Sequence, residues 1–116
     1  MTLVVAIPGV FLALVCAATA VADFARAPTA VETVTRLGIP DGKLALLGAI
    51  KAFAAAGIVV GFAVDRVHVV VGACLVVYFA IAVTTHVRVR DGARNTAPAF
   101  VMLVVAVAFT LGAVGS

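Results

Sequence analysis

The sequence has little charge, few aromatic residues and no tryptophan. Only 11% of its 116 residues are charged, whereas 66% are hydrophobic. Soluble domains carry charge on roughly a quarter of their residues, and a chain this short cannot bury so much apolar surface in water. The composition therefore excludes a water-soluble globular protein and predicts one that lies in a bilayer.

The residue types that build catalytic and metal centres are also scarce. The chain has two histidines and two cysteines, with no cluster at metal-ligand spacing and no nucleophile triad or phosphate loop. Cys16 and Cys74 form no CxxC pair, and their predicted offset of about 9 Å along the bundle disfavours a disulfide. His68 and His86 fall at opposite ends of one predicted helix, so they cannot share a haem iron. The sequence indicates no catalytic residue and no metal.

The formal net charge of +3 does not indicate nucleic-acid binding, because the basic residues stand at the ends of apolar segments. Four such segments occur, each near the roughly 20 residues that cross a bilayer. We predict an all-α integral membrane four-helix bundle, with residues 1–116 forming a single transmembrane domain. The spans are predicted at about 3–22, 44–64, 67–86 and 97–114.

Local signals refine these four spans. The first resembles a secretory signal but lacks the positive n-region, so we interpret it as a retained span. The letters "VDR" at 64–66 predict a tight hairpin between the second and third spans. Pro98 is expected in the first turn of the last helix.

The connection 23–43 is too polar to span a membrane, yet it has helical periodicity. We predict a short amphipathic helix at about 27–38 that lies at the interface or between spans, ended by Gly38. Its apolar face consists of Ala27, Val31, Val34 and Leu37. Glu32 and Arg36 form a charged pair at four-residue spacing.

The basic residues predict the orientation. Six lie in the loops 23–43 and 87–96 or at their edges, and only Arg66 lies on the other side, so the positive-inside rule makes those two loops cytoplasmic and places both termini outside. We expect a bacterial inner membrane. The cluster Arg88, Arg90 and Arg94 is interpreted as an orientation signal that contacts lipid headgroups.

Small residues in the second span predict close helix packing. Gly57 and Gly61 stand four residues apart, and Gly48, Ala52 and Ala56 form a second row. We interpret both rows as packing within the bundle rather than as a dimerisation motif.

Lys51 is the most unusual residue of the second span. It is predicted about eight residues, or about 12 Å, from the cytoplasmic end. An intramembrane charge costs about 2.5–3.5 kcal/mol even on lenient scales. Lys51 is either a structural residue, which reaches toward the interface or forms an ion pair, or a contact for a ligand such as a quinone headgroup.

Residues at matching depth suggest a polar pocket of Lys51, Tyr78, Thr85, His86 and Asp23. Asp23 is expected to pair with Arg26 or Lys51, and Tyr78 to pack with one hydrogen bond. His86 is either an interfacial anchor or a group that carries a proton or binds a ligand. The outer half is predicted to be almost purely apolar, with His68 solvated beside the hairpin.

Several stretches together resemble one known family. These are "RLGIP", "LGAIKAFAAAGIVVG" and "AVTTHVRVRDGARNTAPA", followed by a final apolar span. The chain is similar over about residues 20–112 to the DoxX-like family of small bacterial four-helix membrane proteins. Members often carry a carboxylate near the position of Lys51, so the lysine departs from a carboxylate-based mechanism. The wider family includes a quinone-linked thiosulfate-oxidising subunit and components of redox or oxidative-stress complexes.

Two functions of different kinds follow as hypotheses. The first is a non-catalytic accessory or scaffolding subunit of a larger, respiratory-type membrane complex, with lipids and other membrane subunits or a second copy as partners. The second is a quinone- or lipid-binding redox component that uses the pocket around Lys51, which would be its only cofactor site. A small-solute transporter is a third hypothesis, with no internal repeat to support it.

Overall fold

The computed structural model describes residues 3–64 and 66–115, whose regular secondary structure is entirely helical. Four helices are long and apolar enough to cross a membrane, and a short helix, α2, stands between the first two. The predicted all-α membrane bundle is therefore confirmed. The helices are α1 (Leu3–Phe24), α2 (Pro28–Arg36), α3 (Leu44–Gly61), α4 (Val67–Arg88) and α5 (Ala93–Val114), with a 3-10 turn at Asp41–Lys43.

The helix bounds differ from the predicted ones mainly at α5. It begins at Ala93, so Pro98 lies in its second turn rather than its first. Side chains support this early start, since the Asn95 amide donates to the Asp91 carbonyl at 3.0 Å and Thr96 Oγ1 donates to the Gly92 carbonyl at 2.8 Å. At the other end of the bundle α3 stops at Gly61, and Asp65 of the predicted hairpin turn lies outside the described residues.

The four spans form a ring in which α1 packs on α3 and α4 packs on α5. The two pairs meet along an α1–α5 seam and a less extensive α3–α4 seam. We call the end that carries α2 the α2 end and the opposite end the hairpin end. The hydrophobic core between the spans consists of Val5, Leu12, Cys16, Ile58, Leu75, Phe79, Met102, Ala106 and Phe109.

Three helices end at the α2 end with the same pair of backbone hydrogen bonds, the Schellman motif. In α2 the motif uses Gly38 at φ 76°, as its sequence predicts, but α1 and α4 place Arg26 at φ 52° and Arg90 at φ 53° in the same left-handed conformation. After α4 the motif makes the Asp91 N–H donate to the His86 carbonyl at 3.0 Å. The chain thus folds back, and Asp91 lies over the last turn of α4.

The small residues of α3 divide between two surfaces. A Cβ at Gly48 would come within 3.1 Å of the Asp23 Cβ, one at Gly57 within 2.6 Å of Val71, and one at Gly61 would overlap the His68 ring. These three glycines therefore allow close packing inside the bundle. Ala52 is half-buried and Ala56 is exposed, because each four-residue step rotates about 40° further around the helix.

The prediction that His68 is solvated is wrong. The side chain is 6% exposed, and its ring lies edge-on to Phe62 and Phe109, with centroids 4.7 and 5.0 Å away. His68 Nε2 donates a hydrogen bond to the Ile58 carbonyl at 2.8 Å, since the Phe62 N–H has turned to Val59. Histidine is buried here because it satisfies a carbonyl that the end of α3 leaves without its helical partner.

Replacing His68 should therefore test a hydrogen bond between α3 and α4. We expect His68→Leu to lower the free energy of unfolding by about 1–3 kcal/mol, because the buried Ile58 carbonyl loses its donor. His68→Gln, which keeps an N–H near the position of Nε2, should lose less. Unfolding in mixed detergent micelles measures both variants, and equal losses would contradict this role for the hydrogen bond.

Candidate functional site

A cavity of about 580 Å³ lies inside the α2 end of the bundle. Residues from all five helices line it, and most of its lining is apolar. The five residues singled out in the sequence as a polar pocket, Lys51, Tyr78, Thr85, His86 and Asp23, all line this cavity. The structure thus brings the whole predicted set together, and whether it binds a ligand stays a prediction.

An ion pair connects α3 to α1 in the cavity wall. Lys51 Nζ lies 2.7 Å from Asp23 Oδ2, and the side chains are only 14% and 7% exposed. Of the two partners considered for Asp23, the structure therefore shows Lys51 in contact. Asp23 Oδ2 is sealed from the surface and has no well-directed hydrogen bond from the described residues. The pair is held by charge at short range rather than by an ideal hydrogen bond.

The ion pair explains how Lys51 is accommodated. Asp23 is the last residue but one of α1, so the charged end of Lys51 lies near the α2 end although its backbone stands deeper. This follows from the tilt of side chains toward the start of their helix, which in α3 is the α2 end. Gly48 leaves space for the Asp23 side chain beside α3, because a Cβ at position 48 would come within 3.1 Å of the Asp23 Cβ.

Tyr78 and the threonines add further polar groups to the cavity. Tyr78 stacks edge-on with Phe79 at a centroid distance of 5.2 Å, and its hydroxyl has no hydrogen-bond partner among the described residues. Thr85 Oγ1 and Thr19 Oγ1 instead donate within their own helices, to Ile81 at 2.8 Å and to Val15 at 2.7 Å. Tyr78 is thus the hydroxyl most available to a bound molecule.

A second polar network ties the ends of α2 and α4 together around Asp91. One carboxylate oxygen accepts a hydrogen bond from Arg36 Nε, and the other lies 2.7 Å from His86 Nδ1. The Asp91 side chain is 2% exposed, so these two residues replace water around it. Arg36 also lies 4.0 Å from Glu32 on α2, the pair predicted from the four-residue spacing.

The charges of this network shift the pKa values of two of its members. The hydrogen bond from Arg36, with a smaller contribution from His86, lowers the pKa of Asp91 although burial opposes the shift. The same hydrogen bond to Asp91 raises the pKa of Arg36. Asp91 is therefore a carboxylate at neutral pH, and it accepts the hydrogen on His86 Nδ1.

Residues of α2 and residues along the α3–α4 seam both contribute to the cavity lining. Val34 of α2 and Leu37, which directly follows the helix, contribute to its lining, which gives the apolar face of this segment its burial. Ile50 of α3 and Ile81 of α4 also line it, yet they are 40% and 61% exposed on the outer surface of the bundle. Both residues therefore extend from the cavity lining to the outer surface of the bundle.

The remaining predicted site residues lie outside the cavity. Arg88, Arg90 and Arg94 are exposed around the end of α4 and the start of α5, and Arg88 borders a shallow groove on the outside of α4. Cys16 is buried and Cys74 is exposed, and both are free thiols. In the described part of the chain no group of His, Cys, Asp and Glu is arranged to hold a metal ion.

Sequence reasoning missed Asp91 and Arg36 as parts of the site. Asp91 stands in a polar loop, and the only local signal was its position five residues after His86. Asp91 reaches back to His86 because the backbone of Arg90 is in the left-handed conformation, which residues other than glycine rarely adopt.

Comparison with known proteins agrees with this architecture. The sequence profile of the DoxX-like family matches residues 7–109, so most of the chain is covered. The chain belongs to the DoxX-like family and is a multi-pass membrane protein. No curated protein and no solved structure matches it significantly.

Replacing one partner of the Lys51–Asp23 pair should lower the free energy of unfolding more than replacing both. We expect Lys51→Met or Asp23→Asn alone to lower the free energy of unfolding by about 3 kcal/mol, because a buried group loses its partner. The double variant should lose clearly less than the sum of the two. Glu32→Gln, at an exposed pair, is the control, with an expected loss under about 1 kcal/mol. Additive losses in a detergent-unfolding cycle would contradict the coupling.

The Asp91 network should make stability depend on acid. Because the folded pKa of Asp91 is lowered, its contribution is fully present above the pKa of an unfolded carboxyl, about 3.9, and is lost as the pH falls through the lower folded value. Unfolding measured between pH 7 and pH 2 should show a steeper loss for the unmodified chain than for Asp91→Asn. Glu32→Gln should keep the full slope. Identical slopes for Asp91→Asn and the unmodified chain would contradict the assignment.

Proposed function

We propose that this DoxX-like protein binds a lipid-soluble molecule with a small polar head, a quinone or a lipid, in the cavity at its α2 end. The observation that carries the proposal is the cavity itself, an apolar space into which Lys51, Tyr78 and His86 all face. Its volume of about 580 Å³ is within the usual range for small-molecule sites, roughly 300–1,000 Å³.

The charges in the cavity support a neutral head. Lys51 is compensated by Asp23 at 2.7 Å, so the pair offers N–H donors without a net positive charge. An anionic headgroup would have to compete with Asp23 for Lys51. A ligand oxygen that accepts hydrogen bonds from Lys51 Nζ and the Tyr78 hydroxyl fits this environment.

The exposure of Ile50 and Ile81, which also line the cavity, supports a ligand that comes from the membrane. Both side chains are exposed on the lipid-facing surface, whereas α2 covers the cavity at the end of the bundle. A molecule whose head enters the cavity could leave its tail between α3 and α4. We propose further that the α2 end faces the cytoplasm of a bacterial inner membrane, which rests on the concentration of basic residues there.

A second function, that of a non-catalytic accessory subunit of a larger membrane complex, is favoured by the surface of α3. Ala45 and Ala56 are exposed there and Ala49 and Ala52 are half-buried, a small-residue face that would let another helix approach closely. Native-gel analysis of mild-detergent extracts tests this function. A large band with defined partners, lost in Ala56→Leu, would support it, and a small band with this chain alone would contradict it.

The ligand proposal is tested by extraction of the purified protein. We expect mass spectrometry of the solvent extract to find a quinone or a specific lipid at near one molecule per chain. Lys51→Met should lose most of it, because the cavity loses its cationic donor. Lys43→Met is the matched control, since Lys43 is exposed and does not line the cavity.

Two results would contradict the proposal. One is an extract with only bulk lipid in stable, folded protein. The other is equal ligand content in Lys51→Met and Lys43→Met.

A further inference from the structure

The two ring nitrogens of His86 indicate the chemistry of the ligand. Its Nδ1 is engaged by Asp91 at 2.7 Å, and Asp91 is fixed in turn by Arg36 on its second oxygen. Since a carboxylate only accepts hydrogen bonds, Nδ1 carries a hydrogen and donates it to Asp91. In the neutral imidazole, the hydrogen on Nδ1 leaves Nε2 as an acceptor.

Nε2 is also the ring nitrogen left for the cavity. His86 is 7% exposed and lines the cavity, and Nε2 has no hydrogen-bond partner among the described residues. Among the described residues, Asp23 Oδ2 is the fully enclosed side-chain atom that has no hydrogen-bond partner. His86 Nε2 is not enclosed in this way. Nε2 is therefore an unpartnered ring nitrogen on a residue that lines the cavity.

We infer that the site selects a head that carries a hydroxyl group, which donates a hydrogen bond to His86 Nε2. The inference rests on the proposed ligand site and narrows its chemistry. Lys51 and Tyr78 can donate to one oxygen of such a head, while His86 accepts from its hydroxyl. A head with acceptors alone would leave Nε2 unpaired, which is unfavourable in an apolar site.

Asp91 has a positioning role in this arrangement. It does not need to touch the ligand, because it acts by fixing the imidazole tautomer and the ring orientation. The backbone supports the same geometry, since the Asp91 N–H donates to the His86 carbonyl. Hydroxyl-bearing heads of this kind occur in quinols and in diacylglycerols, so the chemistry has two sources in a membrane.

Two pairs of probes test the preference for a hydroxyl group and show whether a quinol or a lipid supplies it. Decylubiquinol is compared with decylubiquinone, and dioleoylglycerol with its methyl ether, each titrated into the full chain in nanodiscs. Quenching of a tryptophan introduced at Phe79, a cavity residue in a chain without tryptophan, reports binding of the quinol pair. Binding of the lipid pair is measured by its competition with the quinol probe. We expect the hydroxyl member of one pair to bind about tenfold more tightly, the scale of one hydrogen bond.

Variants assign the preference to His86. His86→Leu should reduce the ratio between hydroxyl and non-hydroxyl probes to about one, whereas Asp91→Asn should reduce it partly, because the tautomer is no longer fixed. Thr84→Val, on the exposed side of α4, is the control and should keep the full ratio. If His86→Leu does not fold, the ratios in the unmodified chain and in Asp91→Asn still decide the question.

The outcomes distinguish the selection of a hydroxyl group from the existence of the ligand site. Equal affinity within both pairs would overturn the selection of a hydroxyl while leaving the ligand site intact. A full ratio in His86→Leu would overturn the role of His86. If no probe binds the unmodified chain, the inference and the proposed ligand site both fail.

Discussion

The structure depends on how it accommodates one charge inside an apolar bundle. Lys51 stands in a helix that has no other charged residue, and an isolated ammonium group at that depth would be costly. Asp23 at 2.7 Å balances it, and Gly48 leaves room for the Asp23 side chain beside α3. The pair connects α1 to α3 and forms part of the polar wall of the cavity.

The rest of the α2 end is built around that wall. Three Schellman turns reverse the chain after α1, α2 and α4, so loops, basic residues and the amphipathic helix gather in one layer. The contacts of Asp91 with Arg36 and His86 then join the end of α2 to the end of α4. Because α2 has a polar outer face and an apolar inner one, its inner residues line the cavity, while Ile50 and Ile81 at the α3–α4 seam are exposed on the outside of the bundle.

Much of this arrangement could be predicted from composition and helical geometry. Long apolar segments determine the four spans, and equal depth placed Lys51, Asp23 and Tyr78 together before any contact was known. Gly38 also marked the end of α2 correctly. Such inferences succeed because the membrane restricts helices to one axis and a common depth scale.

What could not be predicted depends on side-chain contacts between distant residues. His68 looked solvated because it stands near a turn, but the unpaired Ile58 carbonyl and the space at Gly61 draw its ring inward. Asp91 looked like a loop residue because nothing in the sequence shows that Arg90 adopts a left-handed conformation. Small-residue spacing likewise did not distinguish the buried Gly48 from the exposed Ala56.

An experimental structure of the protein in lipid nanodiscs would test the central claim most directly. The account predicts elongated non-protein density in the cavity, with its head between Lys51 and His86 and its tail passing between Ile50 and Ile81. A cavity that contains only water, or one closed by rearranged side chains while the Lys51–Asp23 pair remains intact, would contradict it.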